Sequence, residues 1–128
     1  MNETAAGIAE KKVRVLLVDD NALVLDALSD LLNEDPRVRV VGAEAGVDDA
    51  IACAVLSRPD AILLDVHMPG AGSHHVVREI RKWLPDVRIV ALSAAMGEHD
   101  VARMMSLGAD MCISKTTDFT TLIRSLTR

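Results

Sequence analysis

The chain has 128 residues, half of them hydrophobic, a formal net charge of −5 and two cysteines. That length makes one domain with a sizeable core, and the acidic balance argues against direct nucleic-acid binding, which needs basic surface to neutralise phosphates; divalent cations or basic partners suit it better. No apolar run approaches the roughly eighteen residues of a membrane span, Met1–Glu10 lacks a signal peptide's apolar core, and Cys53 and Cys112 lie inside apolar segments, so a cytoplasmic protein without disulfides or membrane contact is expected.

Residues 1–12 carry no periodic pattern and are expected to form a disordered tail, leaving residues 13–128 as the folded domain. Val13-Arg14-Val15-Leu16-Leu17-Val18 reads as a strand that breaks at Asp19-Asp20-Asn21, and Ala22 to Glu34 then repeats Val24, Leu25, Leu28, Leu31 and Leu32 at helical spacing. Pro36 stops that helix, Val38 to Gly42 reads as a short second strand, and Asp48-Asp49 opens a helix through Ile51, Ala54 and Val55 that ends before Pro59. Ala61-Ile62-Leu63-Leu64-Asp65 is too short for a helix and shows no polar alternation, so it reads as an interior strand covered on both faces, ending on a carboxylate. After Pro69-Gly70-Ala71-Gly72, a helix is expected from Ser73 or His74 to Trp83, closed by Pro85, with Trp83 covering its end. Val87 to Leu92 reads as a fourth strand ending on Ser93, Gly97 to Leu107 as a helix closed by Gly108, Met111 to Ile113 as a fifth strand ending near Lys115, and Phe119 to Leu126 as a last helix capped by Asp118. Strict alternation of five strands and five helices implies α/β architecture, a single doubly wound five-stranded parallel sheet with helices on both faces. The spacing does not reveal the strand order.

In such a sheet all carboxyl ends lie on one edge, where ligands bind. Asp19 and Asp20 follow the first strand, Asp65 ends the third, Ser93 the fourth, and Lys115 follows the fifth. Carboxylates a few ångströms apart repel by roughly 4 kcal/mol per pair at an effective dielectric near 20, so they protonate or hold a cation. Mg²⁺ suits them, because it uses one or two carboxylates and keeps waters that a phosphate can replace. A carboxylate beside such an ion is a possible nucleophile toward phosphorus, and an ammonium and a hydroxyl are suitable partners for the phosphoryl oxygens.

Leu17-Val18-Asp19-Asp20, Leu63-Leu64-Asp65-Val66-His67-Met68-Pro69-Gly70, Leu92-Ser93-Ala94 and Gly108-Ala109-Asp110 with Ile113-Ser114-Lys115 together resemble the receiver domain of bacterial two-component response regulators, from Val13 to Leu126. The resemblance implies the flavodoxin-like (CheY-like) strand order 2-1-3-4-5. It also implies phosphotransfer from a sensor histidine kinase to Asp65, with Mg²⁺ held by Asp20, Asp65 and the His67 backbone carbonyl, and by Asp19 through a metal-bound water. Ser93 would be the switch hydroxyl and Lys115 would contact the phosphoryl group. Asp20-Asn21-Ala22-Leu23-Val24-Leu25, the Asp35-Pro36 and Val41-Gly42 spacing and the lack of proline after Lys115 resemble the NarL type, whose members carry a C-terminal DNA-binding domain. None follows here, so the chain is expected to be either a receiver cut from such a transcription regulator or a single-domain receiver. The family usually has an aromatic residue where Cys112 stands and often glycine where Ser73 stands. Cys112 therefore alters the switch position and is expected to weaken coupling to the output face of fourth helix, fifth strand and fifth helix. Met104, Met105 and Met111 are expected as adaptable contacts there, and a weak phosphorylation-linked homodimer could form through that face or the first helix.

Each residue also has a plain reading. Asp19-Asp20 could cap the first helix, Lys115 could be solvated, Ser93 a turn residue, Met96, Met104, Met105 and Met111 core filler, and Cys53 a small buried hydrophobe. The histidines His67, His74, His75 and His99 contain no helical i, i+4 pair, which disfavours a transition-metal site. An aspartyl-phosphate hydrolase would resemble Asp-x-Asp at the nucleophile, whereas Asp65-Val66-His67 lacks the second acid, so the chain is not expected to be an enzyme beyond its own phosphorylation and dephosphorylation. A flavin site would need a hydroxyl-rich phosphate loop where Asp19-Asp20 stands. A receiver that is never phosphorylated and acts as an interaction module is the remaining alternative, although no member of the acceptor set is missing.

Overall fold

The computed structural model describes residues 11–94 and 98–128. The expected tail lies almost wholly outside the described residues, as do Met96, Gly97 and the side chain of His99. In chain order the elements are β1 (Val13–Val18), α1 (Ala22–Asn33), β2 (Val38–Glu44), α2 (Val47–Ser57), β3 (Ala61–Asp65), α3 (Gly72–Trp83), β4 (Arg88–Ser93), α4 (Glu98–Leu107), β5 (Met111–Ser114) and α5 (Phe119–Thr127). All four strand pairings are parallel and the order is β2-β1-β3-β4-β5, the order that the receiver resemblance implies.

The apolar alternation of the strands divides the core into two halves. Leu16, Val18, Ile62, Leu64, Ile89 and Ala91 face one side of the sheet and pack with Ala50 and Ala54 of α2, Val76, Val77 and Ile80 of α3 and Met104 of α4. Val15, Leu17, Leu63, Val90 and Leu92 face the other side and pack with Leu25 and Leu32 of α1 and Leu122, Ile123 and Leu126 of α5. Successive strand residues point to opposite faces, so an uninterrupted apolar run such as Ala61-Ile62-Leu63-Leu64 feeds both halves at once. Every residue of β3 is buried. Among the described residues no helix is long and apolar enough to cross a membrane.

Several boundaries differ from those the spacing implies. β2 continues two residues past Gly42 because Val18 pairs with Glu44, after a register shift between Val15 and Leu16 that leaves Val41 without a β1 partner. Gly42 itself is required by close packing: a Cβ there would stand 2.6 Å from Cys53 Sγ. α3 begins at Gly72 rather than at Ser73 or His74. The Ser73 hydroxyl is buried and donates to the Val66 carbonyl at 2.6 Å, tying the start of the helix to the chain leaving β3. α1 is capped by Asn21, whose side-chain oxygen accepts from the Leu23 and Val24 amides, so the first helix does not use Asp19 or Asp20 as its cap. Asp118 caps α5 as expected, accepting from the Thr121 amide at 2.7 Å.

Two apolar residues take places other than those expected. Met104 is fully buried against the α2–α3 side of the core, so of the three methionines assigned to an adaptable surface only Met105 is exposed, with Met111 half-buried. Trp83 is mostly exposed; Leu84, one residue on, turns into the core in its stead. Both cysteines are free thiols, half-buried against the same side of the sheet. Burial pushes the Cys112 thiol above its ordinary range.

Candidate functional site

The carboxyl edge of the sheet gathers acids that are far apart in sequence. Asp19 follows the last residue of β1 and its amide still donates to Glu44 O of β2 at 3.2 Å, which holds its backbone as an extension of the strand. Asp65 is the last residue of β3, paired with Leu92 of β4. Both are nearly inaccessible, at 3% and 5% exposure, whereas Asp20 is exposed. One oxygen from each of Asp19, Asp20 and Asp65 lies within 4.8 Å of the others, the only such group of acids, imidazoles or thiols among the described residues. No histidine belongs to that group.

Backbone and ammonium groups meet these acids. Asp19 Oδ1 accepts from the Asn21 amide at 2.9 Å, and Asp65 Oδ1 accepts from the His67 amide at 3.0 Å. Each is a short local turn that aims a strand-end carboxylate back over the sheet edge. Lys115, one residue past β5, reaches across the edge to stand 3.3 Å from Asp19 Oδ2 and 3.5 Å from Asp65 Oδ1. A strand at the sheet edge thus supplies the cation for acids on two interior strands. One ammonium against three carboxylates leaves the cluster with a formal excess of negative charge, and acids at this separation repel by roughly 3 to 4 kcal/mol per pair at an effective dielectric near 20.

The geometry suits a small, hard divalent cation. Such an ion takes oxygen ligands about 2 Å away, and three carboxylate oxygens within 4.8 Å of one another are close enough to share one ion, two of them directly and the third through a bound water. The exposed Asp20 leaves one side open to solvent and so to a phosphate.

Ser93 closes β4, paired with Ser114, and its carbonyl accepts from the Lys115 amide at 2.7 Å. It is fully buried, and its hydroxyl lies 2.8 Å from His67 Nε2. The sequence places Asp19, Asp20, Asp65, Ser93 and Lys115 correctly on one edge, but it assigns only a backbone role to His67. The imidazole bond to Ser93 follows from β3 lying beside β4, with Asp65 opposite Leu92, and strand order is what the spacing withholds. Cys112 stands opposite Ala91, beneath the edge among core residues, and is not part of the polar cluster.

Residues 15–127 match the family described as the response regulator receiver domain. The chain is 35% identical over 105 residues to the response regulator protein VraR of Staphylococcus epidermidis, covering 82% of this chain and 50% of that protein. It therefore spans about half the length of the curated VraR relatives it matches. Among solved structures it is similar to the signal receiver domain of the putative response regulator NarL from Mycobacterium tuberculosis, with a TM-score of 0.81, 28% identity and coverage of 93% of this chain and all of that one. It is also similar to a LuxR-family two-component response regulator from Aurantimonas, with a TM-score of 0.82, 26% identity and coverage of 89% of this chain and 81% of that one. The fold, the match over nearly the whole chain and these relatives agree: the chain belongs to the response regulator receiver domain family.

Proposed function

We propose that this receiver is a phosphorylation-operated switch in which Asp65 accepts a phosphoryl group from a sensor histidine kinase. The observation that carries this reading is the convergence of Asp19, Asp20 and Asp65, with Lys115 spanning the two buried acids. Asp20, Asp65 and the His67 carbonyl would hold Mg²⁺, with Asp19 reaching it through a water. When bound, the ion offsets the carboxylate charge and that of the incoming phosphoryl oxygens.

The chain's own groups account for the remaining steps. An Asp65 carboxylate oxygen attacks phosphorus of the phosphohistidine, the new P–O bond forms as the P–N bond breaks, and the departing imidazole regains a proton from solvent. Asp65 is positioned for this by the strand end and by the His67 amide on Oδ1, and its burial excludes most bulk water. Lys115 shifts from pairing the acids to pairing the phosphoryl oxygens, and Ser93 donates to one of them. Both new contacts exist only in the phosphorylated state, which is what lets the modification bias one conformation over another.

The chain's role is to carry the phosphoryl group rather than to turn over a separate substrate. The α4–β5–α5 surface is its proposed output face, with Met105 and Met111 the adaptable contacts and a weak phosphorylation-linked homodimer one outcome. The similarity to VraR and to NarL-type receivers supports a cytoplasmic transcription regulator in which a DNA-binding domain reads this switch. The folded receiver is taken to span residues 13–128. Treatment with acetyl phosphate and Mg²⁺, borohydride trapping and peptide mapping are expected to place the label on Asp65. Trapping at Asp19 or Asp20 would overturn the assignment.

A further inference from the structure

The bond between His67 and Ser93 is an interaction that the phosphorylation reading does not use, and it rests on that reading only in taking Asp65 as the acceptor. We propose that His67 is a positioning residue that latches the switch hydroxyl: its imidazole holds Ser93 in the place it occupies before phosphorylation, and that bond must break before the hydroxyl engages a phosphoryl group on Asp65.

Three features make this an exchange of partners. First, the Ser93 backbone is held on both sides, because its carbonyl accepts from the Lys115 amide at 2.7 Å and the neighbouring Leu92 carbonyl accepts from the Val66 amide at 3.1 Å. The hydroxyl therefore moves by rotating about its own side-chain bond rather than by carrying the strand with it. Second, a serine hydroxyl has a single proton, and phosphoryl oxygens only accept. Where that proton is given to Nε2 it is withheld from the phosphoryl group; where Nε2 is the donor, rotation of Oγ still breaks the 2.8 Å bond. Third, the latch and the acceptor share one short turn, since the His67 amide donates to Asp65 Oδ1 at 3.0 Å. A group attached to Asp65 thus arrives beside the residue whose ring it must displace from Ser93. His67 is an exposed residue while Ser93 is fully buried, so the imidazole can swing away into solvent while the hydroxyl stays inside the fold.

Titration of the Mg²⁺-saturated chain with beryllofluoride, followed by the Ser93 and Ala94 amide resonances, tests the latch. His67→Ala is expected to lower the half-saturating concentration about two- to tenfold, the net worth of one hydrogen bond. His67→Gln, whose amide can also reach the hydroxyl, is expected to restore most of the difference, and in a Ser93→Ala background His67→Ala is expected to change nothing. Weaker beryllofluoride binding by His67→Ala, or equal tightening with and without the Ser93 hydroxyl, would overturn the proposal. So would an equal shift in Mg²⁺ affinity measured without beryllofluoride, which would assign the effect to the His67 carbonyl. A parent chain that binds no beryllofluoride would instead remove the phosphoacceptor reading itself, and the latch with it.

Discussion

β3 and β5 each end at the functional edge, yet they are built differently. All five residues of β3 are buried and strands flank it on both sides, whereas the four residues of β5 are each only half-buried at the rim of the sheet. The proposed acceptor, Asp65, stands on the first and Lys115 just beyond the second. The proposed nucleophile is thus carried by a fully buried strand and its counter-cation follows a half-buried one. An acceptor must hold its geometry through the reaction, while a switch needs an element that can change partners at low cost. On the proposed function, the difference between the strands places these two duties in separate parts of the fold.

The largest effect that would break this contrast is on stability. Leu64→Ala removes a fully buried side chain from β3 and is expected to cost about 3 kcal/mol in urea unfolding. Ile113→Ala, at a half-buried position of β5, is expected to cost less than half as much. Equal losses would mean that β5 is as firmly integrated as β3.

Charge provides the next test. Lys115 lies 3.3 and 3.5 Å from two carboxylates, so it competes with any cation bound there. Lys115→Ala is expected to tighten Mg²⁺ about three- to tenfold by calorimetry while weakening beryllofluoride binding. Loss of both affinities together would show that the lysine organises the acids rather than competing for them.

How far the sequence shows this division depends on what each residue's position reports. Apolar runs that stop on Asp19, Asp65 and Ser93 reveal the strand ends, and parallel connectivity then forces those residues to one edge. The order of the strands is not written in any spacing; it came from the family resemblance, and without it neither the His67–Ser93 bond nor the Val18–Glu44 pairing can be deduced. Met104 shows a different limit. It lies three residues after Val101, the spacing of an inward-facing row, but adjacent methionines look alike in composition, and only the packing of α4 against the sheet separates buried Met104 from exposed Met105. Likewise Asp19, Asp20 and Asn21 are all acceptable helix caps, and the choice of Asn21 leaves the two acids directed to the site.

A smaller effect concerns the output face. The receiver resemblance implies an aromatic ring on the fifth strand that swings into the space left as the switch hydroxyl moves toward the phosphoryl group; Cys112 offers no ring, and it packs on the core. Hydrogen exchange with and without Mg²⁺ and beryllofluoride is expected to change around Ser93 and Lys115 but little in α4 and at Cys112. Cys112→Tyr is expected to extend the change into α4 and strengthen phosphorylation-linked dimerisation, as read by light scattering. A concerted change of that whole face in the parent chain would contradict the weak coupling assigned to Cys112.

The smallest effects are on pH dependence, and they have opposite signs. The Asp35 carboxyl is held at about 2 by its hydrogen bonds from Arg37, and the Thr121 amide lowers that of Asp118. Depressed folded-state values contribute stability that is present at neutral pH and lost as pH falls through the acid range toward those values. Asp35→Asn and Asp118→Asn are therefore expected to flatten the acid limb of a thermal-melting profile slightly. The raised Cys112 thiol acts the other way: its contribution is present at neutral pH and lost as pH rises through the alkaline range. Cys112→Ala is expected to remove that alkaline loss.

The central claim is that Asp65 is the phosphoacceptor and needs the acid cluster's metal to react. Intact mass after incubation with acetyl phosphate tests it in the parent chain with Mg²⁺, in the parent chain with chelator, and in Asp65→Asn with Mg²⁺. A gain of one phosphoryl group in the first alone is expected; an equal gain in Asp65→Asn, or an undiminished gain with chelator, would contradict it.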